Sequence, residues 1–187
     1  DPVFMVLTLI GGFGFSSFMV FIASASFVYS EQFGLTPTGF SLAFAINAIG
    51  FFAASQAAGP AMDKFGIVPV MRGAVIEFAS AAFVLFLICL AGFGTLPVVV
   101  AGLFVANACL GLIIPTTMVM ALDPHGSIAG LASSLGGTLQ MLVGGLMVAI
   151  TGLFFNGTAT PMVGAIALCS ALALALALFT FRKMARP

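Results

Sequence analysis

Charged side chains are scarce in this sequence. Lysine and arginine together number five, aspartate and glutamate together number five, and all four types make up only 5% of the 187 residues. A soluble domain carries about 25% charged residues, most of them in a polar shell around its core. The composition therefore excludes an ordinary soluble enzyme or binding domain, and we expect no nucleic-acid partner.

Residues that hold metal ions and cofactors are also few. The chain has one histidine and three cysteines, and Cys89, Cys109 and Cys169 each fall inside a long apolar run. Each cysteine is therefore expected to be a small buried apolar residue and not half of a disulfide. The sequence contains no metal-ligand cluster, phosphate-binding glycine loop or nucleotide motif, so we expect no metal and no cofactor.

Apolar residues dominate instead. They make up 62% of the chain, and the mean hydropathy is +1.30. A membrane-spanning helix needs about 20 mostly apolar residues, and six such segments are present. The predicted spans are 3–29, 38–58, 71–93, 97–121, 128–154 and 161–181. The predicted fold class is an all-α integral membrane protein in which residues 1–187 form a single six-helix transmembrane bundle.

The positive charges predict how this bundle is oriented. If the six spans alternate in direction, Lys64, Arg72 and the basic residues of the tail (182–186) share one side, whereas Glu31 is the only charged loop residue on the other. Lysine and arginine favour the cytoplasmic side of a membrane. We therefore expect a multi-pass protein of the bacterial inner (plasma) membrane with both termini in the cytoplasm.

The connection between the second and third spans has a distinctive spacing, Gly59-x-x-x-Asp63-Lys64-x-Gly66. Gly59 allows close helix approach, and Gly66 lets the backbone reverse within a few residues. Asp63 can cap backbone N–H groups or pair with a cation, and Lys64 can meet helix carbonyls or lipid phosphates. Charges at the inner surface can regroup when helices rock, so together with Arg72 these residues are predicted to form a conformational latch.

This spacing resembles the loop signature of the major facilitator superfamily, Gly-x-x-x-Asp-Arg/Lys-x-Gly-Arg-Arg, which joins the second and third helices of each six-helix half. Ile67 and Val68 stand where the signature has its basic pair, and such degeneracy is typical of the C-terminal copy. Residues 29–52 and 124–146 further resemble the bicyclomycin and chloramphenicol resistance branch of the drug:proton antiporters.

The resemblance implies helices seven to twelve of a twelve-helix exporter whose N-terminal six-helix half is missing. Its partners would be protons, small lipophilic compounds and the lipid bilayer. The chain starts at Asp1 and not at a methionine, so we expect this start to be a fragment edge.

Three amides in predicted spans are candidates to line a substrate cavity: Asn47, Asn107 and Gln140. Polar groups inside a membrane are often functional, and Phe13 and Phe21 of the first span could provide apolar walls. The two asparagines could equally form hydrogen bonds between helices.

Two spans carry stripes of small residues that favour close helix packing. The stripe on the second span consists of Ala43, Asn47, Gly50, Ala54 and Ala58. The stripe on the fifth span consists of Gly130, Ser133, Ser134, Gly137, Gln140, Gly144 and Gly145. In the fourth span, Pro115 would remove a backbone hydrogen bond and favour a kink.

Glu77 is the only ionisable residue clearly inside a predicted span. It follows Arg72 by five residues, about 7.5 Å along a helix, so we expect it to reach the cytoplasmic interface. We favour a structural role over that of a proton carrier, although both remain open.

Other function classes fit less well. His125 lies in a polar loop beside Asp123 and Pro124, which does not suit the nucleophile–base pair of a hydrolase. No ring of charge or filter-like run predicts a channel. We therefore predict no enzyme but half of a proton-coupled multidrug efflux transporter, with two alternatives: a self-associating six-helix membrane scaffold, or a transporter half for another small molecule.

Overall fold

Six long helices form the molecule. The computed structural model describes residues 2–184, apart from the side chains of Ser127 and of residues 181–184; of the predicted basic tail, Arg186 and the side chains of Arg182 and Lys183 thus lie outside the description. The helices are α1 (Pro2–Phe27), α2 (Pro37–Phe65), α3 (Ile67–Leu90), α4 (Leu96–Leu122), α5 (Ala129–Leu153) and α6 (Ala159–Met184). A π-helical turn, Val28–Gln32, extends α1, and a 3-10 turn, Asp123–Ile128, follows α4.

All six helices are long and apolar enough to cross a membrane. A helix satisfies its backbone hydrogen bonds internally, which is required in hydrocarbon. The predicted all-α membrane fold with six spanning helices is therefore confirmed.

α1 occupies the centre of the bundle and packs against α4, α5 and α6, while α2 packs mainly on α4, and α3 packs on α4 and α6. At one end, the backbone N–H of Ala159 donates to Oε1 of Gln32 (2.5 Å), which ties the α1 extension to the start of α6. At the other, the rings of Phe4 and His125 meet edge to face, with centroids 5.4 Å apart. We call the end with Gln32 and Ala159 the far end, and the end with Phe4 and His125 the termini end.

Small residues bring α2 and α4 into close contact. Gly111 of α4 lies against backbone atoms of Phe51 and Ser55 in α2, and Gly50 of α2 lies against the ring of Phe104. Most of the stripe predicted on α2 is buried, namely Ala43, Asn47, Gly50 and Ala58. α4 remains one helix through Pro115, so the proline does not end it.

The loop predicted between the second and third spans is much shorter than expected. The predicted spans left residues 59–70 outside the helices, but α2 continues to Phe65 and α3 begins at Ile67. α2 continues past Pro60 because this proline removes only one backbone donor. α3 can begin at Ile67 because Pro69 falls in the first turn of the helix, where proline is tolerated. The connection is Gly66 alone, whose φ of 85° suits glycine.

The two faces of α5 differ from the predicted pattern. The side that packs on the bundle consists of Ala132, Gly136, Gly144, Met147 and Thr151. Three glycines of the predicted small-residue stripe, Gly130, Gly137 and Gly145, have nothing within 4 Å of the position that a Cβ would take. Since α5 packs mainly on α1, most of its glycine stripe is left uncovered within the bundle.

Candidate functional site

Asn47 and Asn107 meet at the contact between α2 and α4. The side-chain N–H of Asn107 donates to Oδ1 of Asn47 (3.2 Å), and the side-chain N–H of Asn47 donates to the carbonyl oxygen of Ala43 (3.0 Å). Both residues are almost fully buried, with 1% and 3% of their surfaces exposed. In this conformation one interhelical hydrogen bond joins the two amides, which is the geometry expected if the asparagines hold the helices together.

Gln140 lies at a different contact, where α5 meets α1 and α4. Its side chain is half-buried beside Gly11 and Gly12 of α1, and Gly11 also touches the hydroxyl group of Thr117 on α4. The cavity bounded by Gln140, Thr117 and Thr8 has a volume of only about 10 Å³, roughly enough for one water molecule. We call the contact formed by Gln140, Thr117 and Thr8 the polar seam. It has no room for a substrate in this structure.

The asparagine pair and Gln140 are not brought together. Asn107 and Thr117 are ten residues apart on α4, which places their levels about 15 Å apart along the helix axis. A single polar cavity that includes Asn47, Asn107 and Gln140 therefore remains a prediction, and it requires a conformation other than this one.

Aromatic rings fill the space between α1 and α2. Phe21 stacks on Phe44, with centroids 5.5 Å apart, and Phe18 stacks on Phe51 at 4.8 Å. Phe21 is buried, whereas Phe13 is only half-buried. Such stacks favour apolar packing without hydrogen bonds, so these rings make an apolar seam along one side of α1.

The predicted latch residues lie around the short α2–α3 connection at the termini end. Asp63, Lys64 and Arg72 are all exposed, and no ion pair joins them in the described part of the chain. The Lys64 ammonium group lies over the Phe65 ring, 5.2 Å from its centroid. The latch itself stays a prediction.

Gly59 does not lie at a close helix contact within this bundle. It was expected to allow close helix approach, but no atom lies within 4 Å of the position that a Cβ would take. The cause is that α2 is uncovered at this point.

Glu77 lies deeper along its helix than predicted. Because α3 begins at Ile67, Glu77 is about 15 Å from the helix start, roughly half the thickness of the hydrocarbon layer. Glu77 is exposed on the surface of the bundle. That Glu77 reaches the cytoplasmic interface, and its structural role, both stay predictions.

The remaining polar residues include groups that the sequence did not single out. Thr8 and Thr117 line the polar seam beside Gln140, and the hydroxyl group of Thr117 donates to the carbonyl oxygen of Ile113 (2.8 Å). Glu31 was treated only as a loop charge, but it lines a cleft at the far end together with residues of α5. No local signal reveals such groupings, because their members are far apart in the sequence.

His125 makes structural contacts. Its Nδ1 lies 2.9 Å from the carbonyl oxygen of Ala121, and its ring packs on Phe4. These contacts hold the 3-10 turn against the start of α1.

A curated bacterial protein is similar to this chain. No protein-family model matches the chain, and no solved structure matches it. The chain is 30% identical over 187 residues to YdgK of Bacillus subtilis (strain 168), an uncharacterised MFS-type transporter, and the match covers 98% of this chain and 45% of that relative. The chain thus spans about half the length of the relative. The chain is therefore similar to part of an MFS-type transporter that is about twice as long.

Proposed function

We propose that the chain is the C-terminal six-helix half of a proton-coupled efflux transporter for small lipophilic compounds, including antibiotics, in a bacterial inner membrane. The observation that carries this proposal is the uneven covering of the helices. In their most apolar stretches, α2 and α5 are only 17% and 22% buried, against 39% to 56% for the other four helices. A relative of about twice the length fits a second bundle that covers these two helices.

The uncovered faces have the composition of a helix contact. On α5 the open glycines Gly130, Gly137 and Gly145 leave room for another backbone to approach. On α2 large apolar side chains such as Ile49 and Phe52 are 64% and 65% exposed. Movement of one half against the other along these faces would alternately open the two ends of the bundle.

The apolar walls favour lipophilic substrates. The Phe-rich seam between α1 and α2 offers aromatic surfaces, and Gln140 with Thr117 offers a few hydrogen-bonding groups at another contact of α1. Binding sites for small molecules commonly combine a mostly apolar lining with a few polar groups. The same uncovered faces also favour the alternative of a self-associating scaffold, in which a second copy would cover them.

Proton coupling would depend on the other half. Within the described spans Glu77 is the one carboxylate at mid-depth, and it lies on the outer surface of α3. A relay across the bilayer requires several ionisable groups in a protected path, because an unpaired charge in hydrocarbon is costly. We therefore expect the other half to carry the protons.

Vesicle transport tests the proposal. The twelve-helix protein, reconstituted with an imposed pH gradient, should move a lipophilic fluorescent dye with saturable kinetics, whereas the 187-residue chain alone should not. Saturable transport by the chain alone would contradict the half-transporter assignment. Dye movement by the twelve-helix protein at the rate of empty vesicles would contradict the efflux assignment.

A further inference from the structure

We propose that the cleft between the far ends of α1 and α5 binds an organic monocation that carries an apolar or aromatic substituent. We call it the Glu31 cleft and define it by Ser24, Phe27, Glu31, Thr151 and Phe155. The proposed ligand would be a class of substrate for the transporter proposed above. Only this role as a substrate rests on the proposed function. The test of the inference measures binding, so that it can fail or succeed independently of transport.

The cleft has the size of a small ligand site. Its volume is about 330 Å³, near the lower end of the range for sites that hold small molecules. Phe27 and Phe155 form one wall, and their rings meet edge to face with centroids 5.9 Å apart. The wall combines residues from α1 and from the segment after α5, so the cleft exists only in the folded bundle.

Glu31 is exposed and lines the cleft from a backbone segment that is anchored by its neighbours. Glu31 lies in the π-helical turn Val28–Gln32, and such turns are frequent at functional sites. The next residue, Gln32, anchors the turn by accepting the hydrogen bond from Ala159. A Cβ placed on Gly157 would lie 3.1 Å from Oε2 of Glu31, so the carboxylate lies close to a residue that has no side chain.

Glu31 lacks a cation of its own. In the described part of the chain, no ion pair or hydrogen bond to its side chain is found, and the side chain of the nearby Asn156 accepts hydrogen bonds from Thr158 instead. Lys64 lies at the other end of α2, a helix of 29 residues and therefore about 43 Å long. The charge at the cleft is thus available to a ligand.

These groups favour an organic cation over other ligands. A carboxylate attracts a positive charge and repels anions, and aromatic faces bind quaternary ammonium groups through cation–π attraction. A divalent metal ion requires several oxygen ligands, but the cleft supplies one carboxylate, and the Thr151 hydroxyl group already donates to the carbonyl oxygen of Met147 (2.7 Å). The combination of one charge with two rings therefore matches a lipophilic monocation.

Equilibrium binding of radiolabelled phenyltrimethylammonium tests the inference. The purified chain would be placed in nanodiscs of phosphatidylcholine, a lipid without net charge, and benzenesulfonate would serve as an anionic ligand of similar size. We expect the wild-type chain to bind the cation with saturation and not to bind benzenesulfonate. Glu31→Gln should weaken cation binding at least about tenfold, which corresponds to about 1.4 kcal/mol, and Phe155→Leu should weaken it several-fold.

Glu77→Gln is the matched control, because it removes a carboxylate from the surface of α3 and leaves the Glu31 cleft intact. Its affinity should equal that of the wild type. The inference is overturned if the wild-type chain does not bind the cation at millimolar concentration, if Glu31→Gln binds as tightly as the wild type, or if Glu77→Gln weakens binding equally. Far-UV circular dichroism of each variant checks that the helices are intact, and Glu31→Asp, which keeps the charge, should retain most of the affinity.

Discussion

A graded series of glycine substitutions tests the packing of α2 on α4. In Gly111→Ala the new methyl group would meet the backbone carbonyl of Phe51 and come within 2.9 Å of the backbone nitrogen of Ser55. Backbone atoms cannot turn aside as a side chain can, so the two helices must move apart. Overpacking of this kind costs about 1–3 kcal/mol, and we expect Gly111→Ala to lose stability by an amount in the upper half of that range.

Two further glycines calibrate the effect. In Gly50→Ala the methyl group would come within 2.7 Å of the Phe104 ring, which can rotate away, so we expect a loss of only about 1 kcal/mol. Gly137 has open space around it, and alanine is favoured over glycine in a helix by about 1 kcal/mol in water. Gly137→Ala should therefore be neutral or slightly stabilising.

The measurement is unfolding by sodium dodecyl sulfate in mixed micelles, followed by far-UV circular dichroism, since the chain has no tryptophan. We expect stability to fall in the order Gly137→Ala, Gly50→Ala, Gly111→Ala. Equal stability of the Gly111 and Gly137 variants would refute the close approach of α2 and α4.

Three further predictions concern single features. In a double-mutant cycle, Asn47→Leu and Asn107→Leu should show a coupling free energy of about 1 kcal/mol in the same unfolding assay, as expected for an interhelical hydrogen bond; additive effects would contradict it. Gly66→Ala should cost about 1–3 kcal/mol, because φ of 85° and ψ of 153° suit only glycine; a stability equal to the wild type would show that the connection adopts another conformation. Asp63→Asn should change both the transport rate and the accessibility of introduced cysteines in the twelve-helix protein, because we expect Asp63 to shift the equilibrium between the two end states of the transporter. An unchanged rate and unchanged accessibility would contradict the latch.

The helices could be predicted from the sequence because each one is a long apolar run. Hydrophobicity and length decide whether a segment spans a bilayer, and both are local properties. The end of α2 could not be predicted in the same way. Asp63 and Lys64 indicated a loop by their charge, whereas the helix continues past Pro60 to Phe65 at the end of the bundle.

The partners of the polar residues could be predicted only in part. Projection of α2 placed Asn47 on the small-residue face, and that face does pack within the bundle. The projection could not predict that Asn107 is hydrogen-bonded to Asn47 or that Gln140 lies beside Gly11. Those contacts depend on how α1, α4 and α5 are arranged. The Glu31 cleft was missed for the same reason, since Glu31 and Phe155 come from opposite ends of the sequence.

The proposed function requires that a second six-helix bundle cover the exposed faces of α2 and α5. Oxygen accessibility of nitroxide labels tests it most directly, with single cysteines at Ile49 on α2, at Gly137 on α5 and, as a control, at Leu87 on α3, which is 60% exposed. The three native cysteines would first be replaced, and the 187-residue chain would be compared with the twelve-helix protein in the same lipid. If a second bundle covers α2 and α5, oxygen accessibility should fall strongly at positions 49 and 137 in the twelve-helix protein and stay unchanged at position 87. Equal accessibility at positions 49 and 137 in the two proteins, or a fall confined to position 87, would contradict it.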